Sequence, residues 1–182
     1  MKKAKNQFEY YATDPKAMEL LLEQESFSKK VWEPACGGGH LCEVLDKHGH
    51  DVKASDIVDH GYPETEVRDF FTFTQKDVEE NGSRDIITNP PSNRAKAFVE
   101  HALDISPDGT KIAMFMRLQF LEGKDRKLFF QQNPPTRVYV SSSRIWCAEN
   151  GDFTRSDHSS VAYAWFIWEK GFKGEPTIKW FN

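Results

Sequence analysis

The stretch DIITNPPSNR, residues 85–94, sets Asn89, Pro90, Pro91 and Ser92 just after the apolar pair Ile86 and Ile87, with Thr88 between. Two successive prolines fix the backbone angles, remove N–H donors and prevent a strand or helix from continuing. In such a turn the Asn89 side-chain oxygen and a proline carbonyl can both accept hydrogen bonds from one planar amino group. That grip draws the amine's lone pair out of conjugation and aims it at an electrophile. The same tripeptide recurs as Asn133, Pro134 and Pro135, between the helix-like KLFFQQ and the strand-like RVYV. Proline just past a helix end is ordinary punctuation, so this second copy is expected to be only a turn.

A second group of residues points to a ligand rather than to a reaction. KKVWEPACGGGH runs from an extended segment into a glycine cluster and then into a helix, the arrangement in which ligands bind above the carboxyl ends of parallel strands. Glycine suits a tight turn where backbone must approach a ligand without an intervening Cβ. Gly37 and Gly39 meet the start of a dinucleotide fingerprint, but Cys42 stands where its third glycine belongs. Asp56, 19 residues after Gly37, is placed to accept hydrogen bonds from ribose hydroxyls. In VRDFF, Asp69 is expected at the end of a third strand, where it and the face of Phe70 can share one adenine ring. Glu33, Asp56 and Asp69 then fall at the same end of three neighbouring parallel strands.

These residues require a framework that alternates strand and helix. Asp14 reads as the N-cap of a first helix, with Pro15 at its first position and Met18, Leu21 and Leu22 along one side. HLCEVLDKHG carries Leu41, Val44 and Leu45 at helical spacing before Gly49 stops it. DVKASDIV, VRDFF, DIIT and KIAMFMRLQF read as further strands, with helices expected around 95–103 and 124–131. RVYVSSSRIW and SSVAYAWFIWEKG are strand-like with no helix between them, and suggest an antiparallel hairpin at one edge. The expectation is one α/β domain over residues 1–182, a doubly wound, Rossmann-like, mostly parallel seven-stranded sheet closed by that C-terminal hairpin.

Composition narrows the function classes. A hydrophobic content of 38% with 14 Phe and 5 Trp argues against disorder, and no apolar run is long enough to span a membrane. The basic start MKKAKNQFEY has no apolar segment after it, so a cytoplasmic protein without a secretory signal is expected. Cys36, Cys42 and Cys147 make an odd number without a Cys-x-x-Cys pair, which fits reduced thiols, and His48 and His50 have no third ligand nearby; no metal is expected. A net charge of −4 and a pI near 5.9 exclude the broad basic coat of a non-specific nucleic-acid binder. Three small basic clusters remain, Lys2, Lys3 and Lys5, then Arg94 and Lys96, then Lys124, Arg126 and Lys127, and each reads first as solvated surface charge.

Taken in order, FEYYATDP, EPACGGG, the acidic end of the second strand, Asp-Phe after the third and NPPS after the fourth resemble the class I S-adenosylmethionine-dependent methyltransferases, in the amino-methyltransferase branch that holds the N6-adenine enzymes. AYAWFIWEKG is similar to the last strand of phage-type DNA adenine methyltransferases. The resemblance implies S-adenosylmethionine as cofactor, with Gly37 and Gly39 beneath its methionine part, Glu33 near its amino group, Asp56 at its ribose and Asp69 with Phe70 at its adenine. Pro34, Ala35 and Ile57 flank these positions, and Tyr11 and Thr13 match the family's N-terminal cofactor element. Asn89 would touch both cofactor and target, and with Pro90, Pro91 and Ser92 form the catalytic turn. The implied reaction is methylation of adenine N6 in DNA; an RNA adenine, a protein glutamine, or a non-catalytic nucleotide-binding module are the alternatives. The family usually has an aromatic residue where Ser92 stands, which would stack on a flipped base, and Phe120, Trp146 and Phe153 are the candidate substitutes. With no room for a separate recognition domain, target contact is expected from the loop CAENGDFTRSDHSS, with Arg155 and His158, from a homodimer, or from a partner protein.

Overall fold

A computed structural model describes residues 10–82, 84–154 and 160–182. Its elements are β1 (Tyr11–Thr13), α1 (Pro15–Leu22), β2 (Lys30–Glu33), α2 (His40–Lys47), β3 (Asp51–Asp56), β4 (Glu66–Val67), α3 (Gln75–Glu80), β5 (Asp85–Thr88), α4 (Ala95–Ile105), β6 (Lys111–Arg117), α5 (Lys124–Gln132), β7 (Arg137–Ser141), β8 (Cys147–Glu149), β9 (Tyr163–Glu169) and β10 (Thr177–Phe181). Short 3-10 turns follow β4 (Phe70–Thr72) and β6 (Leu118–Leu121).

One sheet runs in the order β10-β7-β9-β6-β5-β2-β3-β4. All neighbours in it are parallel except β9, which lies antiparallel between β6 and β7. The seven expected strands are present, and the hairpin partners β7 and β9 do pair antiparallel. Two features differ from expectation. β10, which no alternation in TIKWF announces, adds an eighth strand and takes the edge that the hairpin was expected to close. The third expected strand shrinks to Glu66–Val67, because Asp69 leaves the ladder and caps the following 3-10 turn by accepting from Phe71 N–H at 3.0 Å. The helix α3 was also not foreseen; Thr74 and Asp77 form its capping box.

Alternate residues of the central strands feed two cores. Ile86, Ile112, Met114, Met116, Phe166 and Trp168 face one side, where α4 supplies Phe98, Val99, Ala102 and Ile105 and α5 supplies Phe129. Ile87, Ala113, Phe115, Trp165 and Ile167 face the other, against Ala17, Met18 and Leu21 of α1 and Leu41, Val44 and Leu45 of α2. A period of two sends successive strand residues to opposite faces, so near-continuous apolar runs such as IAMFM are those of strands buried on both sides. The α1 start is as expected, with Asp14 accepting from Lys16 N–H at 2.9 Å ahead of Pro15. The second Asn-Pro-Pro is indeed a turn: Asn133 caps α5, and its carbonyl accepts from Trp168 Nε1 at 3.0 Å. Among the described residues no helix is long and apolar enough to cross a membrane.

Candidate functional site

Strand order reverses between β2 and β5: from β2 the chain builds outward to β3 and β4, and from β5 outward to β6 and beyond. Such a switch point leaves a crevice outside the carboxyl ends of the strands, where α/β proteins bind ligands. Here the crevice is a cleft of about 610 Å³, lined by Glu33 to Cys36, Asp56 to Val58, Asp69 to Phe71 and the whole run Asn89 to Ala95. Two glutamate and asparagine positions flank the reversal itself: Glu33 ends β2, and Asn89 follows β5.

Asn89 is held by its amide nitrogen. Nδ2 donates to the Tyr11 carbonyl and to Thr13 Oγ1, both at 3.0 Å, and lies 3.6 Å from Cys147 Sγ. Those acceptors come from β1 and β8, which pair antiparallel as a separate two-stranded sheet with Tyr11 opposite Glu149 and Thr13 opposite Cys147. The contacts set the amide's polarity: Nδ2 donates to the β1–β8 ribbon, and Oδ1 is left as the acceptor of a residue that lines the cleft. Burial pushes the Cys147 thiol up to about 11, with Tyr163, Thr13, Asn89 and Arg117 pulling the other way, so it is neutral and accepts rather than attacks. Tyr11 and Thr13 therefore sit beside the Asn-Pro-Pro turn as well as on the cleft wall.

Glu33 is 1% exposed, and its Oε1 has no hydrogen-bond partner. Burial raises its carboxyl well above the usual range and Asp56 adds to this, against a softening by the Ala35 backbone; Thr88 lies close without completing a hydrogen bond. A buried acid with an unpartnered oxygen on a cleft wall is suited to a cationic ligand. Asp56 holds the glycine turn: its Oδ2 accepts from Gly37 N–H at 2.8 Å and its Oδ1 from Val58 N–H at 3.2 Å, leaving a second lone pair on each oxygen. Gly37 takes φ +51° with the Tyr10 ring packed upon it, and Gly39 takes φ +83° against the Tyr62 ring, so neither position has space for a side chain.

The remaining expected residues are placed as follows. Pro34, Ala35, Ile57, Pro90, Pro91 and Ser92 line the cleft, with Ile57 half exposed. Phe70 reaches the cleft but is only 2% exposed, packed with Phe98 at 4.8 Å and His101 at 4.9 Å, whereas Phe71 is the more open of the pair. Of the three candidate substitutes for the aromatic at Ser92, Phe120 lines the cleft; Trp146 and Phe153 are not among its lining residues and pack on each other, with Phe153 also against His40, which does line it. Arg155, His158 and the Lys2, Lys3 and Lys5 cluster lie outside the described residues. Tyr10, His40, Cys147, Tyr163 and Arg117 were missed; the proximity of Tyr10 to Tyr11 and Thr13 and of His40 to the glycine turn were signals, while the other three arrive from remote segments.

No family model matches the sequence, and no curated protein matches it. Solved structures do. A modification subunit assigned to a type I restriction enzyme of Vibrio vulnificus YJ016 superposes with a TM-score of 0.61 at 13% identity, over 92% of this chain and 45% of that one. A protein of Lactococcus lactis assigned as a hemolysin gives 0.64 at 13% identity over 89% of each chain. The SAM-dependent O-methyltransferase of Thermotoga maritima gives 0.53 at 15% identity, over 89% of this chain and 66% of that one. This chain thus spans under half the length of the restriction subunit. At such identities the likeness is one of fold, and the fold is the Rossmann-like one in which S-adenosylmethionine-dependent methyltransferases are built.

Proposed function

We propose that this protein is an S-adenosylmethionine-dependent N-methyltransferase acting on the N6 amino group of adenine in DNA. One observation supports the reading: the Asn89 amide is anchored through Nδ2, which leaves its oxygen as the available acceptor, and Asn89 and Pro90 line the same cleft as Glu33. The orphaned buried Glu33 oxygen fits the α-ammonium of the cofactor, and Asp56 keeps lone pairs for ribose hydroxyls. When bound, S-adenosylmethionine supplies a methyl group on a sulfonium, open to a neutral amine, so the protein needs no covalent nucleophile. Asn89 and Pro90 accept from the target amine and aim its lone pair. Alignment of this kind supplies much of the rate in such transfers. An adenine in a duplex must leave the stack to reach Asn89.

Ser92 favours a second reading, since a protein glutamine offers no ring to stack on. Both are tested together by offering labelled S-adenosylmethionine with duplex DNA, single-stranded DNA, RNA or protein extract, followed by digestion and product identification. N6-methyladenine from DNA is expected. Asn89→Ala should lower transfer by about 10²–10³ while cofactor-analogue binding stays within about twofold, the usual effect of losing one preorganised polar contact at the reacting group. Full activity in Asn89→Ala sinks the assignment of that residue; label in RNA or protein alone moves the substrate, and no label anywhere leaves a nucleotide-binding module.

A further inference from the structure

The charged residues of the cleft are sorted, not mixed. Glu33 and Asp56 end β2 and β3 and Asp69 follows β4, on one side of the strand-order reversal. Arg94, Arg117 and Arg126 follow β5 and β6, on the other side, and line the same cleft. Asn89 stands at the boundary. A protein of net charge −4 has carboxylates enough to neutralise its arginines, and of the other four described arginines it pairs three, the exposed Arg144 being the exception. Arg68 lies 3.0 Å from Asp77, Arg84 3.3 Å from Asp51 and Arg137 2.7 Å from Glu169. Among the described residues no carboxylate comes within 4 Å of Arg94, Arg117 or Arg126.

Two of these cations are also braced. The Arg94 guanidinium lies 4.2 Å from the centre of the Phe71 ring, and that of Arg126 lies 5.1 Å from Phe120. Arg126 Nε further donates to the Glu122 carbonyl at 2.6 Å, and one terminal nitrogen to Gln119 O at 3.3 Å. Arg117 ends β6, the strand beside Asn89's own, and its side chain is exposed. Rigid, planar donors without carboxylate partners match phosphate oxygens, which they can engage two at a time.

We infer that Arg94, Arg117 and Arg126 form a clamp for the backbone phosphates of a polynucleotide, positioning the strand whose base enters the cleft at Asn89. The inference rests on the nucleic-acid reading of that site and deepens it: the acidic half receives the cationic cofactor and the basic half the polyanionic strand. Arginine, not a base-stacking aromatic at Ser92, then supplies the main hold on the substrate.

The test is fluorescence anisotropy with labelled duplex DNA, its single strand and RNA of the same sequence, across a salt series, for the wild type, Arg94→Gln, Arg117→Gln, Arg126→Gln and the remote exposed Lys173→Gln. Each arginine variant should bind several-fold more weakly, with a salt slope smaller by about 0.7–0.9 per lost phosphate contact, while Lys173→Gln and S-adenosylhomocysteine binding are unchanged. Preference among the three polynucleotides identifies the strand that the clamp serves. The clamp is overturned if the wild type binds none of them, if all three variants keep wild-type affinity and slope, or if Lys173→Gln loses as much. Salt-dependent binding that fails in the variants, with no methyl transfer by the wild type, keeps the clamp and removes the methyltransferase reading. Methyl transfer with unaltered KM in every variant does the reverse.

Discussion

Glu33→Gln separates ligand binding from stability, because the two should move in opposite directions. The wild-type carboxyl is buried with one oxygen unpartnered, and burial holds its pKa well above that of the same group in the unfolded chain. Ionising it therefore disfavours the folded protein: stability is greatest below the ordinary carboxylate range, declines as pH rises to the elevated folded value, and then levels off. Glutamine has the same shape and no charge, so the variant should melt higher than the wild type at neutral pH and lose that advantage in acid. A hydrogen bond to a charged partner contributes about 1.5–3 kcal/mol, equivalent to roughly ten- to a hundredfold in Kd. Part of the wild-type gain is consumed in ionising Glu33, which places the expected loss near the low end at neutral pH and makes it grow with pH. Titration calorimetry of S-adenosylhomocysteine in buffers of differing ionisation enthalpy reads both affinity and proton count. The wild type should release protons on binding, and Glu33→Gln should not. An unchanged Kd with no proton release, or a variant that melts lower at neutral pH, refutes the reasoning.

Glu25 lies at the other rim, buried between Arg137, Lys111 and Tyr139 Oη, and burial that would raise its carboxyl is outweighed by those three partners, so its pKa is lowered. Its stabilisation is complete above the ordinary carboxylate range and is lost as pH falls through the lowered value; Glu25→Ala should cost roughly 3 kcal/mol at neutral pH, the low end for a broken buried pair because Arg137 keeps Glu169, and should flatten the acid limb of a urea-melt series. Gly39→Ala forces a Cβ into the Tyr62 ring at a left-handed backbone, whereas Gly109→Ala, at φ +85°, meets open space. Both should lower stability in denaturant melts, Gly109→Ala by about 1 kcal/mol and Gly39→Ala by clearly more, with only Gly39→Ala also weakening S-adenosylhomocysteine binding.

The sequence was most legible where chemistry and periodicity coincide. NPPS after an apolar pair, VWE ahead of a glycine turn and an aspartate ending DVKASD each announce both a strand end and a polar residue at it, and Asn89, Glu33 and Asp56 meet on one rim, although the glycines themselves do not line the cleft. Phe70 shows the limit: its neighbour Asp69 turns the chain out of the ladder, so the phenyl ring enters the core between Trp32 and Phe98, a tertiary outcome that local spacing does not encode. Three-residue strands such as β1 and β8 carry too little pattern to be seen, and their pairing joins segments far apart in the chain. The anchoring of Asn89 was hidden for the same reason. Arg94 is exposed as its reading as surface charge expects, whereas Arg126 is half-buried against Phe120, and only the tertiary fold reveals that they share a cleft with Asn89.

The pairing of Tyr11 with Glu149 and of Thr13 with Cys147 has a consequence for biosynthesis. Contacts that close so long a stretch of chain form late, after local helices and neighbouring strands have condensed. As the protein emerges from the ribosome, β2 to β6 and both helical faces can assemble while β8, the partner of β1 and the source of Cys147 beside Asn89 Nδ2, is still unsynthesised. Much of the cleft wall would thus be in place before β1 gains its partner strand, so the orientation of the asparagine amide waits on β8.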